Sequence, residues 1–347
     1  MIRRILRFLY IMFIVGFYEE NRLSRIKFGF VMPQGWRWLD SNGSSAVAQY
    51  RFAKDIVSLA ELLGYDTAYS YDHMMGGTIF KANRDKNFFE CFVLISSLLA
   101  STSNIRFGQV VTCNSFRNPA LLAKMISTMD IISGGRIELG IGAGWSENEC
   151  LAYGFDYCSS KTRIKQLDEA LEIIKLMYTQ KEPSYSGNYY SIVNAGCYPK
   201  PIQRPYPPIM VGGTGEKYLL KIVARHADIY NHPFATPAEV QRRLRVLHDH
   251  CDSIGREYKD IERSVLFRCL IRESENEISD LILREKNTHE NIRCFTQRIN
   301  AAAGTPETIK RKIRAYVDIG IERFIIHFVA LDKKSLELLS SGVIKSI

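Results

Sequence analysis

Apolar residues along the chain alternate between short runs and stripes at helical spacing. Residues 26–31 form a short apolar run closed by Pro33 and Gly35, which predicts a strand. Ala53, Ile56, Val57, Ala60 and Leu63 then recur at helical spacing, and Gly64 stands where such a helix should stop. The alternation continues. Strands are predicted at 67–71, 105–112, 136–141, 209–211, 227–230, 265–271 and 323–329. Helices are predicted at 88–100, 118–133, around 167–177, at 216–225, 236–253 and 305–319, with polar helical sequence over 275–302 and a last helix after the last strand. Asn118-Pro119, Thr236-Pro237 and Thr305-Pro306 mark three of the starts: the side chain can cap free backbone N–H groups, and proline at the first helical position loses no hydrogen bond.

Eight strands, each followed by a helix, predict a parallel sheet. Setting aside residues 1–25 leaves 347 − 25 = 322 residues, enough for a (β/α)8 TIM barrel with insertions, a fold that takes about 250. The alternative is an open doubly wound sheet, which would place a phosphate loop after its first strand. That position reads Met32-Pro33-Gln34-Gly35-Trp36 and lacks the GxGxxG pattern. One domain over 26–347 is expected, with insertions near 181–208 and 275–302 that roof the pocket. Six of the 11 prolines fall within 183–208, which predicts an ordered loop with a short hairpin.

Composition adds limits. Hydrophobic residues make up 46% and charged residues 24%, which excludes a disordered chain. The net charge of +9 is dispersed, with no run of five like charges, so nucleic acid is not an expected partner; an anionic ligand suits it better. Eight scattered cysteines with no CxxC pair read as reduced thiols of a cytoplasmic protein. Arg3, Arg4 and Arg7 precede an uncharged run over 8–18, too short for the roughly 20 residues of a stable membrane span. Three readings of 1–25 stay open: a weak membrane-surface anchor, a degenerate signal, and upstream translated sequence, the last being preferred.

In a barrel the chemistry gathers at the C-terminal ends of the strands. Asp72-His73 follows the second strand; a histidine there can carry a proton near neutral pH, although an exposed loop pair is the plain alternative. Metal binding has no support, because HxH and HEXXH spacings are absent. The third strand ends in Gly108-Gln109-Val110-Val111-Thr112, which alone reads as buried strand. Gly140, Gly142 and Gly144 alternate at the fourth strand's end, either to admit a flat ligand or to let strands pack closely. Gly212-Gly213-Thr214-Gly215 ends the fifth strand and opens a helix, which makes an anion site or a turn needing positive φ.

The blocks KFGFVMPQGW, YDTAYSYDHM, FRNPALLAKMISTMDIISGGRIELGIGAGWSENECLAYGFDY, PYPPIMVGGTGEKYLLKIVARHADIYN and GTPETIKRKIRAYVDIGIERFIIHFV resemble the bacterial luciferase-like monooxygenase superfamily. The branch that uses the deazaflavin coenzyme F420 is the nearest. The resemblance runs in order from residue 26 to about residue 330 and implies the same barrel.

It also implies roles. Asp72 and His73 match the pair beside the deazaflavin ring, with His73 as proton donor or acceptor. Val110 and Val111 match a bulge carrying a non-prolyl cis peptide behind the ring. Ala143 and Gly144 match backbone flanking the cofactor, and Gly212, Gly213 and Thr214 match its phosphate loop. Trp145 stands where the sugar-phosphate dehydrogenases of the branch have glutamate, which puts that substrate class in doubt; Trp145 offers either an apolar wall for the substrate or an ordinary packing residue. Glu147 and Glu149 read as charges at a helix N-terminus. The implied reaction is hydride transfer between carbon 5 of F420 and a small organic substrate, by a cytoplasmic homodimer. Because deazaflavin resists oxygen, a dehydrogenase or reductase is implied. The alternatives are an FMN-dependent monooxygenase with a partner reductase, a non-catalytic relative, and, more remotely, a metal-dependent hydrolase.

Overall fold

The computed structural model describes residues 26–35, 45–75, 86–285 and 302–347. The 1–25 extension, Trp36, Cys294 and residues 286–301 of the polar stretch lie outside the described residues. The elements run β1 (Lys27–Val31), α1 (Ala46–Leu62), β2 (Thr67–Ser70), α2 (Cys91–Leu99), β3 (Arg106–Gln109), β4 (Thr112–Cys113), α3 (Pro119–Ser133), β5 (Leu139–Gly142), α4 (Glu147–Ala152) and α5 (Ser160–Thr179). There follow β6 (Tyr185–Ser186), β7 (Ser191–Ile192), β8 (Ile209–Gly212), α6 (Leu219–His226), β9 (Ile229–Pro233), α7 (Pro237–Asp252), β10 (Glu262–Ile271), α8 (Glu275–Glu285), β11 (Ala302–Gly304), α9 (Pro306–Val317), β12 (Arg323–Phe328) and α10 (Lys333–Gly342).

The main sheet is parallel and ordered β3-β2-β1-β12-β10-β9-β8-β5-β4. Its two ends, β3 and β4, are one strand interrupted at Val110 and Val111, so the path returns to its start and the sheet closes as an eight-stranded barrel. A bridge between Phe107 and Ile137 helps seal that seam. The predicted barrel is therefore present with its eight strands; β11, which pairs in parallel with the end of β10 beside that path, was not expected, and its first residue, Ala302, lies at the end of the stretch read as helical. The open doubly wound alternative does not hold. β6 and β7 form the short antiparallel hairpin expected among the prolines.

Alternation along the strands divides the core. One face of each strand, with Phe28, Phe30, Phe107, Leu139, Val211 and Phe324, packs outward against the helices. The other face, with Val31, Tyr69, Met210, Ile229, Leu266 and Ile325, fills the barrel. The period of two makes this division obligatory once the sheet closes. Helix starts follow local chemistry: the Asn118 side chain accepts from Ala120 N–H and Leu121 N–H, and Thr236 forms a capping box with Glu239.

A polar cluster floors the barrel. Arg323 Nη1 donates to both Glu138 oxygens at 2.8 Å and to the Tyr69 hydroxyl oxygen at 2.6 Å, while its Nε donates to Glu262 Oε1 at 2.6 Å. Arg323 and Glu138 are almost fully buried, and their pairing, with Glu262 as a second partner of the arginine, offsets the cost of taking these charges out of water. The floor leaves the opposite, C-terminal end of the strands for chemistry. Among the described residues no helix is long and apolar enough to cross a membrane.

Candidate active site

The end of β2 runs directly into Tyr71, Asp72 and His73, and the structure gives the two predicted members of the pair different surroundings. Asp72 is buried, and its Oδ2 accepts from Cys113 N–H at 2.9 Å and from Arg117 Nη1 at 2.7 Å. It ties the end of β2 to the end of β4. Burial pushes its carboxyl above the usual carboxylate value, against the pull of Arg117. Its Oδ1 has no hydrogen-bond partner, and neither do the buried Thr112 Oγ1 and Asn114 Oδ1 nearby in the chain.

His73 turns to other partners. Its Nδ1 lies 2.7 Å from Glu149 Oε2. The Trp145 ring meets it edge-on at 5.6 Å between centroids, and Phe88 does so at 6.3 Å. Glu149 is fully buried, and its Oε1 also accepts from Met74 N–H and Met75 N–H. Glu149 does stand in the first turn of α4, as expected, but in this helix of 6 residues its carboxylate also reaches the His73 loop, a contact that the sequence did not indicate. No spacing in the sequence pointed to this contact, since Glu149 and His73 are 76 residues apart. Trp145 itself is 58% exposed, so it presents its ring to solvent and not to the core.

The bulge between β3 and β4 lies at Val110 and Val111, whose peptide bond is cis. Val110 joins the barrel interior and donates its N–H to Ser70 O at 2.8 Å. Val111 fills a notch between two other strands: a Cβ at Gly142 would come 2.8 Å from its Cγ2, and one at Gly212 would come 2.8 Å from its Cγ1. A Cβ at Gly140 would fall 1.8 Å from Gln109 O. Close strand packing therefore explains Gly140 and Gly142, the plainer of the two sequence readings. Gly144 has φ +78, and a Cβ there would meet Cys113 Sγ at 2.5 Å. Ala143, just before it, is half-buried against the outer core.

The turn after β8 is longer than its pattern predicted. Gly212 ends the strand, Gly213 follows at φ +144, and α6 begins only at Leu219, three residues beyond the predicted Glu216. Gly213 N–H donates to Asn231 O at 3.2 Å, and its carbonyl accepts from the Tyr230 hydroxyl at 3.0 Å. Thr214 and Gly215 are exposed at the tip. A bare, glycine-rich turn and buried polar atoms lacking protein partners fit a ligand with a phosphate and a polar ring edge.

Four residues of this end were missed. Tyr71 hydroxyl lies 2.7 Å from His327 Nδ1 at the end of β12. His327 meets the Phe234 ring edge-on at 6.0 Å, and the Arg268 guanidinium lies 3.4 Å from the centre of the Phe234 ring. Burial, with Arg268 beside it, holds His327 down to about 3, so its ring is neutral at physiological pH. Burial lowers Arg268 to about 10, which leaves it cationic. The available signal was Arg268 and His327, each standing among apolar residues in the later part of its strand.

The sequence profile of the luciferase-like monooxygenase family matches residues 27–290. An uncharacterised protein of Mycobacterium tuberculosis is 32% identical over 168 residues, 48% of this chain and 57% of that protein; the match spans little more than half of the relative. An FMNH2-dependent dimethylsulfone monooxygenase of Pseudomonas putida is 26% identical over 263 residues, 74% of this chain and 69% of its own. An F420-dependent glucose-6-phosphate dehydrogenase of Microbacterium testaceum is 24% identical over 302 residues, 79% of this chain and 86% of its own. Among solved structures, an F420-dependent secondary alcohol dehydrogenase in complex with an F420-acetone adduct superposes with a TM-score of 0.74 at 17% identity, covering 92% of this chain and 98% of that one. With the profile spanning most of an eightfold barrel whose strand ends carry the expected motifs, the chain belongs to the luciferase-like monooxygenase family.

Proposed function

We propose that the protein is an F420-dependent oxidoreductase acting on a small organic substrate. The observation that carries this reading is the gathering of His73, the Val110 and Val111 bulge and the 212–215 turn at one end of the barrel, from the ends of β2, β3 and β8. The F420-dependent relative that aligns over 302 residues supports it further. Bound F420 would supply hydride exchange at its carbon 5.

The chain's own residues then have defined tasks. Thr214, with Gly212 and Gly213, would hold the coenzyme phosphate, and the net charge of +9 suits an anionic tail. Val110, Val111, Ala143 and Gly144 would back and flank the ring. His73 takes a proton when a substrate carbinol is oxidised and returns it in the reverse direction. Asp72 holds the Cys113 loop against β2 so that the bulge keeps its place. Exposed Trp145 supplies an apolar wall for the substrate and stands where a sugar-phosphate site would need a carboxylate. A homodimer is the expected assembly.

An FMN-dependent monooxygenase is the second reading, favoured by the 26% identical FMNH2-dependent relative. Titrating the purified chain with F420 and FMN in parallel, followed by fluorescence, separates the two. F420 should bind at least about tenfold more tightly, a difference of about 1.4 kcal/mol. Preferential uptake of FMN, with oxygen consumption in the presence of a reductase, would replace the first reading by the second.

A further inference from the structure

We infer that Glu149 is a positioning residue that fixes the tautomer of His73, keeping the proton on Nδ1 and leaving Nε2 as the atom that exchanges a proton with substrate. The inference rests on the proposed role of His73 as proton carrier. Its grounds are geometric. Glu149 Oε1 receives the Met74 and Met75 N–H groups, which can only donate, so that oxygen must accept. Oε2 then faces His73 Nδ1 at 2.7 Å. An ionised carboxylate has acceptors only, so Nδ1 must carry the hydrogen between them. A carboxylate with no solvent exposure is costly to bury unless several donors converge on it, and here two amides and an imidazole do so.

The aromatic neighbours complete the arrangement. Trp145 and Phe88 both meet the His73 ring edge-on, which restricts rotation about its side-chain bonds. With Nδ1 occupied and the ring confined, Nε2 is left for chemistry. The sequence around α4 thus supplies both the wall and the anchor of one histidine.

Glu149→Gln makes the inference sharp. The two backbone donors still require an acceptor, so the carboxamide oxygen stays on Met74 and Met75 and the NH2 group turns toward Nδ1. His73 must then accept at Nδ1 and carry its hydrogen on Nε2, the opposite tautomer. The test uses the full chain, ligand-free, with 15N-labelled histidine, and long-range 15N–1H spectra at alkaline pH. His73 is assigned by the signal lost in His73→Ala. The wild type should show the Nδ1–H pattern and Glu149→Gln the Nε2–H pattern. In the loaded enzyme the same change should lower kcat by about 10²–10⁴-fold while the F420 Kd stays within about threefold. A wild-type spectrum with the Nε2–H pattern overturns the inference, whether or not the variant folds; so does a variant with the wild-type tautomer, or one with unchanged kcat. The spectra need no coenzyme. Failure here therefore leaves the F420 reading standing, and failure of the F420 titration leaves the tautomer result intact.

Discussion

Val111 occupies the space that a side chain at Gly212 would need: a Cβ there would lie 2.8 Å from Val111 Cγ1. The residues are 101 apart in sequence and belong to different strands, yet each is shaped by the other. Gly142 meets the same valine from a third strand. One side chain thus keys the bulge, the β5 end and the turn after β8 together.

Gly212→Ala should therefore overpack the notch and cost about 1–3 kcal/mol. The double change Gly212→Ala with Val111→Ala should recover part of that loss, since the clash is with the valine methyls. Urea denaturation of the two single variants and the double variant measures the coupling. Strict additivity would refute the keyed arrangement.

At the floor, Glu138→Ala would leave the Arg323 guanidinium buried without its main partner. The expected cost is about 3–5 kcal/mol, because the desolvation of the remaining charge is no longer offset. Thermal and urea unfolding test this, and a cost under about 1 kcal/mol would mean that Glu262 and Tyr69 alone satisfy the arginine.

His73→Ala should abolish turnover while leaving F420 affinity within about tenfold, since the residue moves a proton and contributes little to holding the coenzyme. Steady-state rates and fluorescence titration read the two effects separately. Turnover at the wild-type rate would remove His73 from the mechanism.

Stability should fall as the pH drops from 7 toward 5. Burial holds both His232 and His327 down to about 3, against an ordinary value of 6.5. Between those values the unfolded chain binds protons that the native state refuses. The contribution of each is fully present above 6.5 and is lost as the pH falls, by up to about 1.4 kcal/mol per pH unit. Arg243 faces His232 and Arg268 faces His327, and both cations act in the same direction as burial. His327→Gln should flatten the dependence measured by denaturation between pH 7 and 5; parallel curves for the two proteins would count against a buried neutral His327.

The strands and helices were legible because their causes are local. Short apolar runs between stripes of helical spacing located all eight barrel strands, and Asn118-Pro119 and Thr236-Pro237 located two helix starts, since capping and proline geometry depend only on adjacent residues. His73 and the glycine turn were also visible, as motifs at predicted strand ends, whereas the bulge was expected only from the family resemblance. Their partners were not. Glu149 is 76 residues from His73, and Tyr71 is 256 from His327. No period or spacing links such residues; they meet because eight tilted strands close into a ring and bring every C-terminal end to one mouth. By itself, the sequence determined which segments are strands and which are helices, because apolar runs, helical spacing and caps are local; since both faces of the strands are buried, which face turned into the barrel was left to closure. Only closure of the barrel decided that Glu149 holds His73, that Asp72 braces the Cys113 loop, and that Arg268 and His327 join the mouth, because those contacts depend on where distant strand ends arrive.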